Sequence, residues 1–168
     1  LKKQEAFIKG IKPALLCSHT YEHDIFKKLL SLKYPNIIEY ELKDFDNPDE
    51  IFDRGTLFFQ SEDMKEKYLN ESKGLKKKSR EAIILLGKVL GYPPIACEFF
   101  ADSEKDISLR SKRVVFDYYG IRFAGNMDDR DEICKWLWEN VKAPPAEVKI
   151  ESRNGVQIQI VEPSVVSI

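Results

Sequence analysis

Histidine, cysteine and long apolar runs are all scarce in this chain of 168 residues, which carries two His and three Cys. Cys17, Cys97 and Cys134 are widely spaced and form no C-x-x-C pair, which excludes a zinc ribbon and a thioredoxin-type redox motif. A disulfide-built secreted domain does not suit this length, and reduced thiols in a cytoplasmic protein are expected. The longest apolar runs are a few residues, against the roughly 20 that span a bilayer, so no membrane partner is expected. Leu1-Lys2-Lys3-Gln4-Glu5 lacks the apolar run of a signal peptide, and without an initiator Met residues upstream are expected. An excess of charge is missing too. The 27 Lys plus Arg face 28 Asp plus Glu, and a net charge of −1 removes any broad drive toward nucleic acid. No G-x-G-x-x-G or G-x-x-x-x-G-K-[ST] loop is present, which disfavours a dinucleotide or P-loop phosphate site.

What is there suffices for one globular domain over residues 1–168: 43% hydrophobic residues for a core and 33% charged residues for its surface. Residues 12–18 read as a short buried strand and 20–33 as a helix with Ile25, Leu29 and Leu32 on one face. Tyr34-Pro35 stops that helix. Residues 37–42 alternate as a second strand, and this strand-helix-strand order implies a parallel pair joined by a right-handed crossover. Asn47-Pro48-Asp49-Glu50 reads as a helix start and residues 56–60 as a third strand. The middle is helical: Ser79 caps an apolar segment expected to be buried, Gly91-Tyr92-Pro93-Pro94 breaks it, and residues 95–101 form another helix. Residues 113–125 suggest strands about a Tyr119-Gly120 bend, and residues 128–141 a helix. Asn154-Gly155 between two alternating runs signals a tight hairpin. The expected class is α/β: a mixed sheet with an N-terminal βαβ unit, a helical middle segment and a C-terminal antiparallel hairpin.

Both histidines fall in Cys17-Ser18-His19-Thr20-Tyr21-Glu22-His23-Asp24. Four residues apart, they share a face if the helix has begun, and two neutral imidazoles so placed can chelate a metal, with Cys17 or a carboxylate as a further ligand. His19-Thr20-Tyr21-Glu22-His23 matches H-x-x-E-H and so resembles the inverted zinc-protease signature over five residues. That resemblance implies zinc on His19 and His23, Glu22 as general base, and a distant helical carboxylate, for which Glu98 is the candidate.

Sheet topology points to the same part of the chain without any motif. In open α/β sheets, ligands bind beyond the carboxyl ends of parallel strands. Those places are Ser18-His19-Thr20, Asp44-Phe45-Asp46 and Ser61-Glu62-Asp63, so Ser18, His19, Asp44 and Ser61 are the candidate ligand-binding residues. Helix capping explains most of these side chains, though not the histidines. Lys73, Lys76, Lys77, Lys78 and Arg80 form a basic run that could contact phosphates, although a solvated surface is the commoner outcome. A helix-turn-helix reader of DNA fails on its own chemistry, because Ile95-Ala96-Cys97-Glu98-Phe99-Phe100-Ala101 offers no Arg, Asn or Gln to base edges. Asp128, Asp129 and Asp131 read as a helix start, and Cys97 as a core thiol.

Gly91-Tyr92-Pro93-Pro94-Ile95-Ala96-Cys97-Glu98-Phe99-Phe100 resembles a motif of uncharacterised archaeal proteins in which Gly-Tyr-Pro precedes a Cys and a Phe. The resemblance implies no established reaction or cofactor. A Lys-dominated basic set with few Gln, Asn and Thr leans toward a thermophile. The leading expectation is a cytoplasmic α/β domain binding a small molecule or a protein partner at the strand ends near His19 and His23. A metal-dependent hydrolase using those histidines, and a nucleic-acid-associated protein using residues 73–80, are the alternatives.

Overall fold

The computed structural model describes residues 1–43 and 51–163, with the side chains of residues 39–43 and 51–53 outside the described set. Helix α1 (Lys3–Ile8) leads into strand β1 (Ala14–Ser18), helix α2 (His23–Ser31) and strands β2 (Asn36–Lys43) and β3 (Ile51–Phe59). Helices α3 (Glu62–Ser72), α4 (Arg80–Val89), α5 (Pro94–Lys105) and α6 (Ile107–Arg110) follow. Strands β4 (Arg113–Tyr118) and β5 (Ile121–Asn126), a 3-10 turn at Met127–Asp129, helix α7 (Arg130–Asn140) and strands β6 (Val148–Ser152) and β7 (Ile158–Val161) complete the order. Helices and strands interleave, so the protein is α/β. Among the described residues no helix is long and apolar enough to cross a membrane.

The strands form two sheets, β1-β3-β2 and β5-β4-β6-β7, and every neighbouring pair is antiparallel. This corrects the expected mixed sheet. β1 and β2 do run the same way, as their link through α2 suggested, but β3 lies between them. Its register sets Ala14 opposite Phe59 and Ser18 opposite Gly55 on one side, and Asn36 opposite Phe58 and Lys43 opposite Ile51 on the other. The unit is a split β-α-β. The expected helix start at residues 47–50 lies outside the described residues, and from Ile51 onward the chain is strand.

Burial explains why β1 resembles a strand of a parallel sheet. Leu15, Cys17 and Phe58 face Phe7 of α1 and Leu29 of α2, while Ala14, Leu57 and Phe59 face Tyr68 of α3 and Leu90 at the end of α4. Helices on both faces turn the strands into nearly continuous apolar runs, the pattern usual for parallel sheets. The second sheet has one covered face. Phe116, Tyr118, Ile121, Phe123, Val148 and Ile150 pack against α5 and α7 through Ala96, Ile133 and Leu137. Its other face carries a cross-strand ion network: Arg122 meets Asp117 at 3.5 Å and Glu151 at 3.1 Å, and Lys149 meets Glu151 at 2.9 Å.

Local chemistry sets the boundaries. Ser61 and Ser79 cap α3 and α4 by accepting from Met64 N and Ala82 N. Helix α4 is less buried than its composition implies: Ile83, Ile84, Leu85 and Leu86 are half-buried and none of its residues is fully buried. The C-terminal hairpin is present with a looser turn than Asn-Gly suggested. Gly155 N donates to Ser152 O, Gly155 takes φ of 72°, and Asn154 Oδ1 accepts from Val156 N.

Candidate functional site

The β1–α2 turn gathers several of the expected residues. His19 Nε2 lies 2.7 Å from Thr56 Oγ1, and the imidazole lies against Phe26, tilted by 33° with centroids 4.3 Å apart. Its Nδ1 has no hydrogen-bond partner among the described residues. Thr56 is fully buried, so its hydroxyl orients the ring and is closed to a substrate. Ser18 Oγ accepts from Tyr21 N, which is a turn-closing role. Glu22 folds back: its Oε1 accepts from Ser18 N at 3.0 Å and from Lys3 Nζ at 2.9 Å.

That geometry separates the H-x-x-E-H residues. Helix α2 begins at His23, so His19 sits in the preceding turn and the two imidazoles do not share one helical face. The carboxylate expected to serve as general base is engaged with a backbone N–H and a lysine. Cys17 is buried, and desolvation followed by the neighbouring Glu22 pushes its thiol up to about 11, away from the thiolate a metal requires. Glu98 is exposed on α5, a helix packed on α4, α6 and β5. Among the described residues, no three His, Cys, Asp or Glu side chains gather as a metal site.

The strand-end pocket is dispersed as well. Ser18 is level with Gly55, whereas Ser61 lies beyond Phe59, the other end of β3, which is itself roughly 13 Å from Gly55 at 3.3 Å per residue. The reversal of β3 is the physical reason: its carboxyl end lies beside the amino end of β1. Ser61 spends its hydroxyl on Met64 N as a cap. Asp44 lies outside the described residues.

A concave site occurs instead where the two sheets meet. A cleft of about 490 Å³ is lined by Ile11 and Pro13 before β1, Gln60 and Met64 after β3, and Lys88 and Gly91 at the end of α4. Ile121 of β5 and Trp136, Asn140 and Lys142 at the end of α7 close the far side. The volume falls in the range of small-molecule sites. Pro13, Met64, Ile121 and Trp136 supply apolar walls, and the polar groups are amides and ammoniums.

Three devices hold the near wall. Helix α4 ends in a Schellman arrangement, with Tyr92 N donating to Gly87 O, Gly91 N to Lys88 O, and Gly91 at φ of 94°. Gln60 Nε2 donates to both Phe7 O and Lys12 O. Lys12, only 3% exposed, donates from Nζ to Leu90 O at 2.7 Å and lies 5.0 Å from the centre of the Tyr92 ring. Burial, reinforced by Lys3, lowers the Lys12 ammonium to about 7. Burial likewise lifts the Tyr92 phenol to about 12 and the Cys97 thiol to about 12, so Cys97 is a neutral core thiol as expected.

Sequence reasoning missed this cleft because its walls come from five separate segments, each ordinary alone. The Gly91-Tyr92-Pro93 motif was the one available pointer, since Gly91 is both the left-handed cap of α4 and part of the wall. The fold and the site together define a two-sheet α/β protein with a mixed apolar and basic cleft at the junction. No family model, curated protein or solved structure matches the chain.

Proposed function

We propose that the protein is a ligand-binding α/β domain whose small-molecule site is the cleft between its two sheets. The observation that carries this reading is the convergence of five distant segments on one 490 Å³ hollow with apolar walls and a few polar groups. A cytoplasmic location belongs to the same proposal, and three buried free thiols suit it. So does the archaeal, thermophilic origin suggested by the motif resemblance and the Lys-rich composition. The metal-hydrolase alternative would have to bring His19 and His23 together from a turn and a helix start. The nucleic-acid alternative rests on the basic run of residues 73–80, in which Arg80 meets Asp102 at 2.8 Å.

Amide and indole NMR resonances of labelled protein, titrated with a panel of small aromatic fragments, test the location. The expected shifts cluster at Gly10, Gly91, Val141 and the Trp136 indole. Shifts confined to Ser18, His19 and His23 would overturn the cleft and return the site to the β1–α2 turn.

A further inference from the structure

Resting on the cleft as the ligand site, we infer that its ligand is a small organic anion: a flat apolar body against Trp136 with a carboxylate or phosphate held between Lys88 and Lys142. Among the described residues no Asp or Glu lines the cleft, although acids outnumber bases in the chain as a whole. Lys88 and Lys142 line it together, both are exposed, and neither has an ion-pair partner among the described residues. The other donors are largely spent. Both N–H groups of Gln60 go to the carbonyls of Phe7 and Lys12, and Asn140 Nδ2 donates to Trp136 O. The ammoniums are therefore the groups with capacity left for a ligand.

Both lysines stand where helices end, and a cation there also complements a helix dipole. That role does not use up the charge. Each helix C-terminus carries about half a negative charge, so two ammoniums leave the cleft positive by about one unit. At α4 the terminal carbonyls are already satisfied: Leu86 O, Gly87 O and Lys88 O accept from backbone N–H groups and Leu90 O accepts from Lys12. The apolar side of the ligand follows from Pro13, Met64 and Ile121, which with the indole form a surface that a hydrated inorganic ion would not cover.

Benzoate, phenyl phosphate and benzamide are suitable probes, because benzamide keeps the shape of benzoate without its charge. Binding is read from the Trp136 indole and Gly91 amide resonances. The two anions are expected to bind at least about tenfold more tightly than benzamide at low salt, with the margin shrinking as salt rises. The double variant Lys88→Gln, Lys142→Gln should lose that margin and keep its benzamide affinity. Both side chains are exposed, so folding is not at stake. Equal affinity for benzoate and benzamide, or a margin that survives the double variant, would overturn the anion and leave the cleft proposal standing. No shift at the cleft with any probe would overturn both.

Discussion

Lys12 is one of 27 basic residues, and nothing beside it in Ile11-Lys12-Pro13 marks it out. The fold makes it unusual by closing Leu90 and Tyr92 over its ammonium. In the folded chain the group titrates near 7, with Lys3 adding to the effect of burial, against an ordinary value of 10.5. Between those two values the unfolded chain holds a proton that the folded chain has released. Stability therefore rises with pH across that window, and below about 7 the cost of burying the charge is fully present. Each tenfold change in proton affinity is worth about 1.4 kcal/mol. Lys12→Met removes the charge and keeps the length. Relative to the parent, it should be most stabilised at pH 6.5 and lose that advantage, on the order of a few kcal/mol, by pH 10. Urea unfolding at several pH values measures this, and parallel stability profiles would refute it. His19 is the reverse case. Scarcity made it conspicuous, yet its geometry is a ring pinned by Thr56 and Phe26.

At the scale of elements, local chemistry was readable and pairing was not. The caps of α3 and α4, the stop at Tyr34-Pro35, the Tyr119-Gly120 bend and the β6–β7 hairpin all follow from short-range rules. Strand order depends on which surfaces are covered. The two-sided burial of β1 imitates a parallel sheet, so the insertion of β3 and the transfer of Ser61 to the opposite end could not be seen. Gly91 shows how much one local rule controls. It combines a left-handed backbone with close approach, since a Cβ there would lie 2.9 Å from Pro13 Cδ. Gly91→Ala should cost about 2–4 kcal/mol, joining backbone strain to overpacking. Gly155 also has a positive φ, but a Cβ added to it would meet nothing within 4 Å, so Gly155→Ala should cost only about 1 kcal/mol. Thermal or urea denaturation of the two variants tests the ranking, and equal losses would show that Pro13 yields without cost.

For the whole molecule, the junction between the sheets decides whether there is one cooperative unit or two. The first sheet has an apolar cluster on each face and the second sheet has its own, which would permit separate unfolding. Several contacts oppose that. Tyr92 packs against clusters belonging to both sheets and meets Phe123 in a tilted pair with centroids 5.4 Å apart. Lys12 ties the start of β1 to the end of α4, and the turn at Gly120 lies against the Lys2 carbonyl. Splitting the molecule would expose the Tyr92 ring, a loss of about 3 kcal/mol, and break the Lys12–Leu90 hydrogen bond. Native-state hydrogen exchange should therefore give the central strands β3 and β4 the same opening free energy, within about 1 kcal/mol, and the same dependence on denaturant. Tyr92→Ala should lower both by about 3 kcal/mol together. If β3 opened several kcal/mol below β4, the sheets would be independent units. The cleft would then be a boundary that widens with each opening, and anion binding should narrow the gap by drawing the two walls together.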